Sequence, residues 1–287
     1  MSKITEYGKV TSLLAADVFL KDGANGTKIM EAQALMAGLL GLMSSDDLFA
    51  RLDEIAAPEL HRAIFRGKNL GTSITAAQKA RIQDGTFKGL WLGDYWVING
   101  IVWRIVDFDY WYNSGDTAFT RHHLVVMPDN VLYNAQMNES NTTEGGYVGS
   151  KMYTDNLAQA KTICQNAFGD ALLTHRVNFV NAVTNGKASG SAWFDSTVDL
   201  PNEPMMYGSH FFAPANDGIT IPHLYTIDKS QLALMQACPK FINPARQYQW
   251  LRDVVSAADF AFVYAYGNPN YFYASGSFGV RPPVAVG

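Results

Sequence analysis

A chain of 287 residues with 48% hydrophobic residues, 17% charged residues and a formal net charge of −4 is long enough to bury a sizeable core and has globular composition. It has no run of Lys or Arg to make a nucleic-acid or anionic-membrane surface, no stretch near the ~20 apolar residues of a membrane helix, and no apolar signal-peptide segment in Met1 to Lys9. The two cysteines, Cys164 and Cys238, are too few for a disulfide framework and lack zinc-ligand spacing, so two buried free thiols are expected. These features point to a soluble protein made in a cytoplasm, without cofactor, nucleic-acid partner or membrane partner.

In chain order, Val10 to Leu20 and the residues from Ile29 read as short strands joined by a turn at Asp22-Gly23 and Asn25-Gly26. Ala32 to Leu42 reads as a helix, and Ser44-Ser45-Asp46-Asp47 caps a second over Leu48 to Ile55. Thr75 opens a third over Ala76 to Ile82, ending before Asp84-Gly85. Residues 1 to 80 thus form a small N-terminal α/β module. From Leu90 the runs Tyr95 to Ile98 and Ile101 to Val106, split by Asn99-Gly100, predict a tight hairpin. Further on, 121 to 127 reads as a strand, 151 to 168 as a helix, and 174 to 185 as a second helix with Thr174 as N-cap. Gly186 to His223 reads as loop, and Trp250 to Val286 returns to strand character. Residues 81 to 287 are therefore expected to be a larger α+β domain, an irregular and mainly antiparallel sheet with flanking helices.

Little in the chain points to catalysis. His122 and His123 are adjacent, so in a strand they face opposite ways and cannot easily share one ion. Asp107 and Asp109 would lie on one strand face, as paired carboxylates of a glycosidase might, beside Tyr110, Trp111 and Tyr112. Nucleophile-elbow, zinc-helix, phosphate-loop and dinucleotide motifs are absent. No catalytic residue and no metal site is expected. The segment that stands out is 256 to 280, where eight of 25 residues are Phe or Tyr against a 13% average, and most of the others are Ser, Gly, Asn or Ala. Tyrosine gives large contact area with few rotors and a polar tip, and small polar residues adapt around it, so this composition suits a recognition surface. Phe260, Phe262, Tyr264 and Tyr266 alternate with small apolar residues, which in a strand gathers the rings on one face.

Tyr248-Gln-Trp-Leu-Arg-Asp253, Ser256-Ala-Ala258, Gly267, Ala274-Ser275 and Gly279-Val-Arg-Pro282 resemble the variable proteins of diversity-generating retroelements. Gly93 to Gly100, Trp103-Arg104, Asp107-Phe108 and Tyr225 to Ser230 extend the resemblance over roughly residues 80 to 287. It implies a C-type-lectin fold of the formylglycine-generating-enzyme-like branch, with a variable region at 256 to 280 diversified by adenine-directed mutagenesis. Consistent with such mutagenesis of Asn codons, Trp, Gln, Lys, Glu and Met are all missing from 256 to 280. Carried over by position, the ligand-binding variable sites would be Asp259, Phe262, Tyr264, Ala265, Tyr266, Asn268, Asn270, Phe272, Tyr273, Gly276 and Phe278. The supporting positions would be Trp250, Leu251, Arg252, Phe260, Val263, Gly267, Tyr271, Gly279, Val280, Arg281 and Pro282, with Arg252 and Arg281 making internal hydrogen bonds.

The calcium-lectin motifs are incomplete, since only Asn202-Glu-Pro-Met205 comes near, and the reactive cysteine pair of the oxidases is missing, with Cys238 alone late in the chain. Asp17 to Leu20, Asp22-Gly23 and Gly26-Thr-Lys28 resemble the start of many phage tail proteins. The resemblance implies a non-enzymatic receptor-binding protein of a phage or prophage tail, placed in the virion after synthesis in a bacterial cytoplasm. Its ligand would be a cell-surface protein or glycan of a target bacterium. Residues 1 to 80 would attach it to other virion proteins, with a homotrimer as one expected assembly. The alternatives are a tail-associated carbohydrate-active enzyme using Asp107, Asp109 or Glu203, and a fixed structural tail protein with 256 to 280 buried.

Overall fold

The computed structural model describes residues 44–213 and 230–287. The strands expected at Val10 to Leu20 and from Ile29, and the helix expected over Ala32 to Leu42, lie outside the described residues. The chain divides into two compact units, residues 1–55 and 56–287, so the boundary falls well before residue 80 and the helix opened by Thr75 belongs to the larger unit. In the first unit, α1 (Ser45–Ile55) starts where Asp47 N–H donates to Ser44 Oγ at 3.1 Å, which satisfies one of the open donors at a helix N-terminus.

The second unit opens with α2 (Pro58–Ala63), whose proline occupies a first-turn position that needs no N–H donor. In α3 (Ala76–Gln83), Thr75 and Gln78 form a reciprocal capping box. Strands β1 (Tyr95–Ile98) and β2 (Ile101–Phe108) meet at Asn99-Gly100, where both residues have positive φ (52° and 78°), so the turn twists with its strands as expected. Then come β3 (Leu124–Pro128), β4 (Tyr133–Gln136), a π-helical turn at Met152–Asn156 running into α4 (Leu157–Phe168), and β5 (Leu172–Leu173).

The helix expected over 174 to 185 is instead strand β6 (His175–Thr184), and it pairs with β7 (Lys187–Ser196) across Asn185-Gly186. Val177, Phe179, Val180 and Val183 are β-branched or aromatic, and burial alternates along the first half of β6, as a strand half-buried on one face requires. Thr174 is not an N-cap: its hydroxyl is 2.9 Å from that of Thr197. The expected loop from Gly186 likewise contains β7 and the short helix α5 (Glu203–Tyr207), which Asn202 caps through Met205 N–H at 2.9 Å. Helix α6 (Ala233–Ala237) precedes strands β8 (Gln249–Val254), β9 (Asp259–Val263), β10 (Pro269–Tyr273), β11 (Ser277–Val280) and β12 (Val284–Val286).

The architecture is α+β. Two five-stranded sheets, ordered β1-β2-β3-β12-β5 and β10-β9-β8-β11-β4, accompany the β6–β7 ribbon, and the strand pairs are antiparallel apart from β11 with β8 among the described residues. One core runs through the unit, with Trp91, Trp96, Trp103, Trp250, Tyr147 and Phe260 fully buried. Both thiols are free, Cys164 buried and Cys238 half-buried, and burial pushes the Cys164 thiol up to about 12, which keeps it protonated and unreactive. No helix among the described residues is long and apolar enough to cross a membrane.

Candidate ligand-binding face

The second sheet gathers the aromatic residues of 248 to 278 on one surface. Trp250 is its fully buried floor, and Phe262, 3% exposed, sits above it with ring centroids 6.1 Å apart. Around Phe262 stand Phe278 at 4.7 Å, Tyr248 at 5.7 Å and Phe272 at 6.4 Å, and Tyr264 bridges Tyr248 at 5.0 Å to Tyr266 at 5.6 Å. The rim faces solvent: Tyr266 is 82% exposed, Tyr273 53%, Phe272 and Tyr271 45%, and Tyr248 40%. Alternation along β10 turns Tyr271 away from Phe272, and its ring meets Phe212 at 5.0 Å.

The eleven positions expected to contact ligand therefore differ in depth. Tyr266, Asn268, Phe272 and Tyr273 are exposed; Asp259, Tyr264, Ala265, Asn270, Gly276 and Phe278 are half-buried; Phe262 is buried and supports its neighbours. Asp259 accepts from Ser256 Oγ at 2.6 Å and closes the β8–β9 turn. Of the expected supporting positions, Trp250, Leu251, Phe260, Val263 and Val280 are buried, while Tyr271 stands exposed at the rim. Gly279 has no room for a side chain: a Cβ there would lie 2.2 Å from Val131 Cγ1.

The backbone beneath these rings is held from outside. Thr143 donates through Oγ1 to Ser256 O at 2.7 Å and through its N–H to Ala257 O at 3.0 Å. Asn243 Nδ2 donates to Tyr264 O at 2.8 Å and Ala265 O at 3.2 Å. Asn138 N–H donates to Ala274 O at 3.0 Å, and Gln136 Nε2 to Ser275 O at 2.7 Å. Asn243 is itself fixed, because Gln249 Nε2 donates to its Oδ1 at 2.7 Å and Arg281 Nη1 donates to Gln249 Oε1 at 3.1 Å. Arg281 also serves Pro128 O, Ile242 O and Phe241 O, the internal role expected of it; burial lowers its pKa to about 10, so it stays charged at neutral pH. Arg252, likewise buried, donates to Leu200 O at 3.1 Å.

Along the open edge of β10 the polar groups are partly satisfied from within. Pro269 brings no N–H, Asn268 Nδ2 reaches Pro269 O at 3.3 Å, and Tyr271 N–H donates to Asn270 Oδ1 at 2.9 Å. Sequence reasoning missed Asn243, Gln136 and Thr143, whose partners are distant in the chain. Tyr248 could have been found, since it lies two residues before Trp250 and alternation sends both to one face.

The candidate catalytic residues do not form one pair. A register shift between Ile105 and Asp107 and a left-handed φ of 52° at Asp109 break the alternation that would put both aspartates on one face. Asp107 is fully buried against Arg62 (2.5 and 3.1 Å) and also accepts from Phe108 and Ala233 N–H; burial raises its pKa despite the guanidinium. Asp109 accepts from His123 N–H at 2.8 Å and pairs with His122 Nδ1 at 2.7 Å. The two histidines part company, with His122 stacked on Tyr112 at 4.6 Å while burial drops the His123 pKa to about 4. A cleft of about 480 Å³ beside Asp109 is lined by Arg62, Phe87, Phe108 and Gln236.

Glu203, His210 and Asp253 are the one set of potential metal ligands that the described residues bring together, with ligand atoms within 4.8 Å of one another. Their geometry serves the backbone. Glu203 is fully buried and its carboxylate accepts from Phe211, Phe212 and Ala213 N–H, while Asp253 Oδ2 accepts Glu203 N–H at 2.7 Å. Burial, and next the Asp253 charge, raise the Glu203 pKa. The cluster thus fixes the turn that places Phe212 against Tyr271. Comparison of the chain with protein-family models, with curated proteins and with solved structures gives no match.

Proposed function

We propose that this chain is a non-enzymatic ligand-binding protein whose contact face is the aromatic surface of β9, β10 and β11. One observation carries the reading: four exposed aromatic rings, Tyr248, Tyr266, Phe272 and Tyr273, stand together on a backbone fastened by side chains outside it. Clustered exposed aromatics are uncommon on a surface that binds nothing, and Tyr and Phe rims around a buried aromatic centre are the usual anatomy of contact hot spots. We further propose that the fold is C-type-lectin-like and that the chain is a diversified target of a retroelement. Supports that contact backbone carbonyls tolerate changes in the side chains above them, as a variable region needs. On this reading it is a receptor-binding protein of a phage or prophage tail, located in the virion, and it grips a protein or glycan on a target bacterium. Its N-terminal unit, residues 1–55, would join other virion proteins, as a homotrimer in the simplest assembly. The enzymatic alternative has less support, because Asp107, Asp109 and Glu203 are each committed to a separate internal partner.

The test is binding of the labelled full chain to a panel of bacterial cells, with the double variant Tyr266→Ala, Tyr273→Ala as probe. The variant should lose more than about tenfold in binding while its unfolding free energy moves by less than about 0.5 kcal/mol, because both side chains are exposed. Undiminished binding would remove the face from the proposal. The encoding DNA tests the diversification part: a near-copy of the stretch for residues 250 to 287, differing where that copy has adenines, should lie beside a reverse-transcriptase gene. A complete genome without one would leave a binder of fixed specificity.

A further inference from the structure

We infer that the aromatic face continues into a groove that takes an acidic sugar, a pyranose bearing a carboxylate, with Arg246 as the partner of the anion. The inference rests on the ligand-binding reading and adds the chemical class of the ligand. The groove has a volume of about 380 Å³ and is lined by Tyr248, Ala265 and Phe278, by Asn134 and Ser277, and by Arg246. That is at the small end of the roughly 300–1,000 Å³ of small-ligand sites. Across Asn134 and Ser277 it continues into a polar depression of about 690 Å³ that reaches Lys151 and Gln159, leaving room for a longer chain of sugars.

Three features select the ligand. The first is Arg246, exposed, its guanidinium without a hydrogen bond or ion pair to any described residue, and its backbone held at φ 54°, where few residues other than glycine are found. Its N–H closes a turn onto Asn243 O at 3.3 Å, and the Asn243 side chain braces the same turn through Gln247. A guanidinium held out from a fixed turn is set up to meet a carboxylate with two parallel hydrogen bonds. Lys151, the other cation along the groove, is ion-paired with Glu139, so the acid group belongs at the Arg246 end.

The second feature is the wall. Tyr248 and Phe278 lie with centroids 5.2 Å apart at 56°, two planes that offer an apolar surface to the C–H face of a sugar ring. The third is the polar pair Asn134 and Ser277, which lines both depressions: their side chains make no hydrogen bond with other described residues, and between them they offer donors and acceptors that match neighbouring hydroxyls.

The experiment is a saturation-transfer NMR titration of the full chain with methyl β-D-glucuronide and, in parallel, methyl β-D-glucoside. The expected result is saturable binding of the glucuronide with a Kd on the order of 1 mM, at least about tenfold tighter than the glucoside. Arg246→Gln should abolish that preference and Tyr248→Ala should weaken both sugars. Both positions are exposed, and thermal melts check that the variants fold. Equal affinity for the two sugars, no saturable signal from either, or a preference that survives Arg246→Gln would overturn the inference. Its failure separates from that of the function proposed above. If cells bind through Tyr266 and Tyr273 but the glucuronide does not bind, the acidic-sugar ligand falls and the binding face stands. If the glucuronide binds through Arg246 while the Tyr266 and Tyr273 variant holds cells normally, the groove stands and the aromatic face falls.

Discussion

In the sheet β1-β2-β3-β12-β5, Trp96 and Trp103 are fully buried, and β3 and β12 are buried along their whole length. In the sheet β10-β9-β8-β11-β4, β8 is buried throughout and β9 from Phe260 to Val263, but the rings of Tyr248, Tyr266, Phe272 and Tyr273 beside them face water. Both sheets are rich in aromatics, so aromatic content alone does not tell core from contact surface. What differs is how the backbone is held. The first sheet is fixed by the volume of its side chains, which close packing makes hard to change. The outer segment of the second is fixed by Thr143, Asn243, Asn138 and Gln136, none of which belongs to it.

The sharpest way to break this contrast is to remove volume from the first sheet. Trp103 is fully buried with Phe168 edge-on at 5.0 Å, so Trp103→Ala should cost about 3–5 kcal/mol in chemical denaturation. A loss below about 1 kcal/mol would mean that packing does not hold that sheet. Next in size is Asn243→Ala, which strips the brace from Tyr264 O and Ala265 O and leaves Gln249 without its acceptor. It should cost about 1–3 kcal/mol and raise hydrogen exchange selectively at residues 264 to 268, leaving β1 to β3 protected.

A smaller effect at neutral pH comes from His175, which lies outside both sheets, stacked on Trp111 at 3.9 Å with neither ring nitrogen hydrogen-bonded. Burial holds its pKa well below the usual value, so the folded protein keeps it neutral while the unfolded chain protonates near pH 6.5. Its contribution is therefore fully present above about pH 6.5 and is lost as pH falls below it, by up to about 1.4 kcal/mol per pH unit. Measured against His175→Phe, the wild type should lose ground steadily from pH 6.5 to 5. Parallel stability curves for the two proteins would show that His175 is not the sensor.

Parts of this molecule were legible in the chain and parts were not, for identifiable reasons. Asn99-Gly100 announced its hairpin because two-residue turns are a local matter. Asn185-Gly186 makes the same turn, but the expectation of a helix over 174 to 185 with Thr174 as N-cap hid it, although the β-branched residues there favour a strand. The aromatic segment was visible because composition needs no geometry. Its supports were not, since Gln136 and Ser275 are 139 residues apart and an amide to a distant carbonyl leaves no local pattern. The shared strand face expected of Asp107 and Asp109 does not form, because residue spacing presumes an unbroken strand and a register shift is a tertiary event. The Glu203 cluster escaped for the same reason, its members being brought together by a turn and a strand fifty residues on.

The supports beneath the aromatic face end on carbonyl oxygens, those of Ser256, Ala257, Tyr264, Ala265, Ala274 and Ser275. Every amino acid brings a carbonyl to the chain, whereas proline brings no N–H. A loop anchored through its acceptors therefore keeps those anchors when the side chains above them change, although Ala274 is buried and Tyr264 and Ala274 also donate their N–H groups to Asn268 O and Ala258 O. For protein engineering, the exposed positions Tyr266, Asn268, Phe272 and Tyr273 could be randomised widely, while Ala274, which is buried, and Gly279, whose neighbours leave no space for a Cβ, would be left out of the library.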